Sequence, residues 1–205
     1  MKKLLILLFS IFFLSSPSVF ADDISDFEIE GISIGDSLLD YMTENEILEG
    51  IDDAEIYYFL NEPNKFVEIY FFNKDLLIYD MLSVFITKSS KYITNKNKKY
   101  EIQSIRGMIR YNEDFDSCIV ERDEVVEVLS GMFPNAQKTE RITEHSADPS
   151  GRSITDVVLF SLDSGALITV NCQDFEETFR IEKNWTDTLN IVIQTEEVRS
   201  WFNDR

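Results

Sequence analysis

The rhythm of apolar and polar residues changes several times along this chain, and each rhythm predicts an element. Leu4 to Leu14 is an almost unbroken apolar run, interrupted only by Ser10. Ser37 to Gly50 has the spacing of a short helix in two pieces. Ser37-Leu38-Leu39-Asp40 can cap one turn, Thr43-Glu44-Asn45-Glu46 fits a capping box for a second, and Gly50 suits the stop. From Lys65 to Arg110 the chain is dense in Phe, Tyr, Ile and Val, which predicts strands near 65–72, 78–87 and 100–110. Gly107 inside the last of these is read as a bulge.

Asp116 to Met132 is the clearest helical stretch. Ile119, Val126 and Phe133 recur every seven residues, Val125, Leu129 and Met132 fill the same side, and Pro134 ends the helix. A weaker strand near 137–144 precedes a polar loop, His145 to Arg152. A hairpin follows, Ser153 to Leu162 and Ala166 to Gln173, turning at Asp163-Ser164-Gly165, where Gly165 supplies the positive φ. Thr188 to Gln194 alternates again, and Glu196 to Phe202 reads as a terminal helix carrying Trp201. The order is helix then strands, twice over. That predicts an α+β protein of antiparallel sheet and a few packed helices, with two αβββ-like halves at 22–111 and 112–205, or one continuous domain.

The opening of the chain changes the picture of where it works. Met1-Lys2-Lys3, the apolar run, the polar Ser15-Ser16-Pro17-Ser18 and the small residues of Val19-Phe20-Ala21 have the layout of a signal peptide, residues 1–21, cleaved after Ala21. The run is short of the roughly 20 residues of a membrane-spanning helix. No cysteine follows it to carry a lipid, so no stable membrane anchor is expected after cleavage. The expected location is the periplasm or beyond.

The net charge is −19, and losing Lys2 and Lys3 makes it more negative. Such a charge argues against nucleic acid as a partner. Aromatic residues at 13% are too many for a disordered chain. Cys118 and Cys172 are the two cysteines. In an exported chain they are expected to form a disulfide, because alternation puts Cys172 on the apolar face with Ile168 and Val170, and Cys118 opens a helix able to lie there.

The stretch Phe27-Glu28-Ile29-Glu30-Gly31-Ile32-Ser33-Ile34-Gly35-Asp36-Ser37-Leu38-Leu39-Asp40-Tyr41 resembles the start of a family of uncharacterised exported proteins of marine alphaproteobacteria. The resemblance implies a periplasmic setting and an acidic α+β body, and it implies no activity. The glycine and short capped helix ahead of an antiparallel sheet are also similar to small outer-membrane assembly modules, a likeness of fold alone.

Several residues invite a catalytic or metal-binding reading. Gly35-Asp36-Ser37-Leu38 spells the nucleophile block of the GDSL esterases, but a serine needs a base. The lone histidine, His145, has Ile142 rather than Asp three places before it, so Asp36 or Ser37 is better read as a helix cap. His145 itself sits among turn formers. Asn112, Asp114, Asp116 and Asp123 stand at calcium-loop spacing, yet Ser117 replaces the glycine such a loop needs. Asp52, Asp53, Glu55, Asp174, Glu176 and Glu177 read as charged surface, although paired carboxylates serve glycosidases. Lys88, Lys91, Lys96, Lys98 and Lys99 lie in a stretch without acids, read as a hairpin tip with edge-protecting lysines, or as a basic finger for an anionic partner.

The reading that results is an exported, non-catalytic binding module, with no cofactor and no metal, whose partner is an envelope protein or a small ligand. A hydrolase using Ser37 or paired carboxylates, and a calcium-dependent module, are the alternatives.

Overall fold

A computed structural model of the chain describes residues 24–71, 76–88 and 99–204. The expected signal segment and Lys91, Lys96 and Lys98 lie outside the described residues. A small hairpin, β1 (Glu28–Ile29) and β2 (Ile32–Ser33), leads into helix α1 (Glu44–Asp53) and strands β3 (Phe66–Tyr70), β4 (Met81–Thr87) and β5 (Ile102–Arg110). Helix α2 (Phe115–Met132) is followed by β6 (Gln137–Glu144), β7 (Ile154–Ser161) and β8 (Leu167–Asp174). Then come α3 (Glu177–Lys183), β9 (Thr188–Gln194) and α4 (Glu196–Asn203).

The seven long strands form one sheet in the order β3-β4-β5-β9-β8-β7-β6, with every pairing antiparallel. The fold is α+β, as the alternation of helix and strand runs requires. β5 of the first half hydrogen-bonds β9 of the second, so the halves share a single sheet.

Alternation along each strand divides the sheet into two unlike faces. On one face a row of directly opposed residues runs Ile69, Val84, Ile105, Ile193, Ile168 and Phe160 across six strands, and all are buried. The row ends at Lys138 on the edge strand β6, where water begins. Each such aliphatic side chain contributes about 1.5–3 kcal/mol by leaving water. Helix α2 lies on β8 and β9 with Cys118, Val125, Val126 and Leu129 buried, and α1 lies on β3. This is the helix face of the sheet.

The local signals for the helix starts hold. Ser37 caps a 3-10 turn, Leu38–Asp40, by accepting from Leu39 N, and Thr43 and Glu46 form a reciprocal capping box for α1. The cysteines are joined, with Cα atoms 6.0 Å apart, pinning the first turn of α2 to β8. Two glycines act otherwise than their local sequence suggests. α1 runs past Gly50 to Asp53, and Gly50 marks the closest approach to β3, since a Cβ there would stand 3.2 Å from the Ile69 methyls. Gly107 is in regular register with Leu82 and Ile191, and the irregularity of that strand pair falls instead where Phe85 and Ile86 meet Ser104 and Ile102. Gly107 is needed because the buried Tyr79 ring crosses above it, 2.4 Å from where a Cβ would lie.

Candidate binding face

The opposite face of the sheet is built from the alternate residues. One row runs Arg106, Val192, Thr169, Leu159 and Thr139 across β5, β9, β8, β7 and β6, and the next runs Met108, Asn190, Asn171, Val157 and Arg141. Polar amides and hydroxyls alternate with apolar side chains; Arg106, Val192, Thr169 and Leu159 of the first row are half-buried, whereas Asn190, Asn171 and Val157 of the second are buried.

At one end this open face is closed by α4. Val198 and Trp201 pack with Phe66, Phe85 and Leu60, and the Trp201 indole donates to the Glu62 carbonyl at 2.7 Å. Beside this cluster, the buried Glu68 carboxylate accepts from Tyr57 and Ser83 hydroxyls at 2.9 and 2.6 Å, and lies 2.9 Å from Arg106 Nη2. Arg106 also donates to Tyr70 at 3.1 Å. Burial, with Glu68 next, pushes the Tyr57 phenol well above its ordinary pKa, and burial raises Tyr70 in the same direction. The Tyr57 phenol therefore keeps its proton and donates it to Glu68.

At the other end, His145 makes T-shaped contacts with Phe175 and Trp185, and its Nε2 lies 3.4 Å from Gln173 Nε2. Gln173 in turn accepts from Thr188, and the Asn190 amide donates to Thr188. Burial lowers the His145 pKa, against a smaller opposing pull from Asp148. Asp148 accepts from the Ser150 and Ser153 hydroxyls, Ser153 foremost in holding its carboxyl far below the usual carboxylate range. Ser153 also accepts from Glu176 N, and Glu176 caps α3, so the 145–153 loop and α3 are bonded into one corner. Between the two ends, Asn171 is nine-tenths buried and its Oδ1 meets no donor among the described residues.

The residues singled out from the sequence are placed as follows. Gly35 to Leu38 is bonded along the start of β5 through Gly35 N to Ile102 O, Ile102 N to Asp36 O and Leu38 N to Tyr100 O. Asp36 accepts from Ser33 N and from the Tyr41 hydroxyl, and Ser37 is engaged as a cap. The imidazole of His145, the chain's one histidine, meets Ala147, Gln173, Phe175 and Trp185 and does not stand beside Ser37. Asp114 caps α2 and Asp123 pairs with Arg122. Among the described residues no group of three or more His, Cys, Asp or Glu could hold a metal ion. Lys99 is paired with Glu44 at the start of α1 and lies over the Tyr100 ring, so it is held against the body of the protein.

Asp53 and Glu55 are part of a cavity of about 580 Å³, which Glu46, Glu49, Tyr41 and Met42 also line. That cavity was not legible in the sequence, because it exists only where α1 meets the end of β3. The open face was half legible: the alternation showed that each strand has a polar side, but not that the polar sides align. Among the described residues no helix is long and apolar enough to cross a membrane. Comparisons with protein-family models, curated proteins and solved structures found no match.

Proposed function

We propose that this chain is an exported, non-catalytic binding protein that engages another component of the cell envelope through the open face of its sheet. The observation that carries the reading is the asymmetry of the two faces. One is sealed by α1 and α2, while over β6 to β9 the other presents half-buried Leu159, Leu167, Thr169 and Val192 with, among the described residues, no helical layer beyond the contact of α4 at one end. With α1 and α2 on the other side and α4 over one end, the stretch between forms an ordered, partly exposed platform. Serine and histidine that do not meet, and carboxylates engaged as caps and ion pairs, support a binding role over hydrolysis.

The test is photo-cross-linking in the native envelope. A benzoylphenylalanine at Thr169, in the middle of the open face, is compared with one at Val120, an exposed position of α2 on the other side of the protein. A stoichiometric adduct from position 169 and none from 120 is the expected result. Adducts from neither position would sink the reading and turn attention to small ligands of the cavity beside α1.

A further inference from the structure

We propose that the open face docks a protein surface whose contacting groups are carboxylates; this rests on the binding reading above and names the chemistry of the partner. The chain is strongly acidic, with 38 Asp and Glu against 19 Lys and Arg. Yet across β5, β9, β8, β7 and β6 no side chain of the open face is acidic: the charged ones are Arg106, Arg110 and Arg141. Glu68, the acid further along the same face on β3, is buried and bonded to Arg106. Acids are plentiful elsewhere, including Glu196 and Glu197 on α4 at the rim. Their absence from this floor is a local reversal of the chain's charge.

The basic residues of the floor are all arginine, and Met108 and the neighbouring Trp185 add the other side chains that protein interfaces favour, while Lys, Asp and Glu are depleted there. Arginine's planar fork also matches a carboxylate with two parallel hydrogen bonds, which a lysine cannot do. Arg110 and Arg141 are exposed, and among the described residues neither guanidinium has a carboxylate partner. Asp80 accepts from the main-chain N of Arg110, not from its side chain. The two arginines lie on β5 and β6, four strand spacings apart, about 19 Å. A span of that size fits the face of a protein, not a single small anion. Two carboxylates on one partner, set at that distance, would fix its register on the sheet.

The experiment uses the cross-linker at Thr169 in the full chain. Arg110→Glu/Arg141→Glu is compared with Lys88→Glu/Lys138→Glu, which changes net charge equally, at a residue just past β4 and at one on the helix face of β6. Both variants are first checked for an unchanged melting temperature. The arginine reversal is expected to lower the adduct yield at least tenfold, the lysine reversal less than twofold, and the captured peptide to be rich in Asp and Glu. Equal yields in the two variants, or capture of a peptide without acids, would overturn the carboxylate proposal while leaving the binding reading in place. Loss of adduct already in the unaltered chain would instead overturn both.

Discussion

Arg122 Nη1 stands 2.6 Å from Asp156 Oδ1, and this ion pair lies alongside the disulfide. Arg122 is one helical turn beyond Cys118 on α2, and Asp156 lies directly across the strand pair from Cys172. One helix is therefore held to two adjacent strands by a covalent link and an ionic one, side by side. Arg122 is well buried and Asp156 largely so, which makes the pair costly to break from one side.

Replacing Arg122 alone by Ala should thus destabilise the protein by about 3–5 kcal/mol, because Asp156 would remain without its charge partner. Replacing both residues together, as Arg122→Met/Asp156→Leu, should cost far less. Urea unfolding of the three proteins decides the matter, and a double variant as unstable as the single one would show that the pair is not the relevant unit.

The Cys118–Cys172 bond closes a loop with a sequence separation of 54. In the chain-entropy treatment such a closure contributes about 4 kcal/mol. Cys118→Ala/Cys172→Ala should lower the urea midpoint accordingly, and a reducing agent should destabilise the unaltered protein but not the variant. A midpoint insensitive to both would mean that α2 is held by packing alone.

Gly107→Ala should destabilise by about 1–3 kcal/mol as an overpacked core position. The added methyl meets the ring of Tyr79 and has nowhere to go, since Tyr79 is itself buried. Combining it with Tyr79→Leu should recover part of the loss. If Gly107→Ala is neutral by thermal unfolding, the close approach of that ring is not a constraint.

His145 should make stability depend on mildly acidic pH. Burial lowers its pKa in the folded state, so the fold favours neutral imidazole and the unfolded chain takes up the proton first. Its contribution is fully present above the unfolded value, about 6.5, and is lost as pH falls through the depressed folded value. The melting temperature should fall between pH 7.5 and 5, and His145→Phe should flatten that slope. NMR titration of the imidazole checks the direction independently; a folded value above 6.5 would contradict it.

Ser37→Ala removes the hydroxyl that caps the 3-10 turn, and a loss of about 1 kcal/mol is expected. Ester hydrolysis should be the same in the variant and the unaltered protein. A serine-dependent esterase activity would displace the binding reading.

Some of this architecture was written in the local sequence because its causes are local. Thr43 and Glu46 are three residues apart and cap α1 with each other, Gly165 alone satisfies the turn at φ +83°, and alternation in Thr188 to Gln194 sets which side chains share a face. The pairing of the two cysteines followed from such faces too, since a strand and a helix each present one apolar side. Other features arise between elements that are distant in the chain. Gly107 answers to Tyr79, Gly50 to Ile69, and Arg122 to Asp156, so none of these roles has a signature in its own neighbourhood. The charge of the open face is the furthest removed from local pattern. Arg106 and Arg110 lie far from Arg141 in the sequence and share one acid-free floor with it only because β6 is joined, through β7, β8 and β9, to the sheet that contains β5. The sequence by itself determined the period of each strand and the cap of each helix; strand order, a property of the whole chain, decided which faces became one surface.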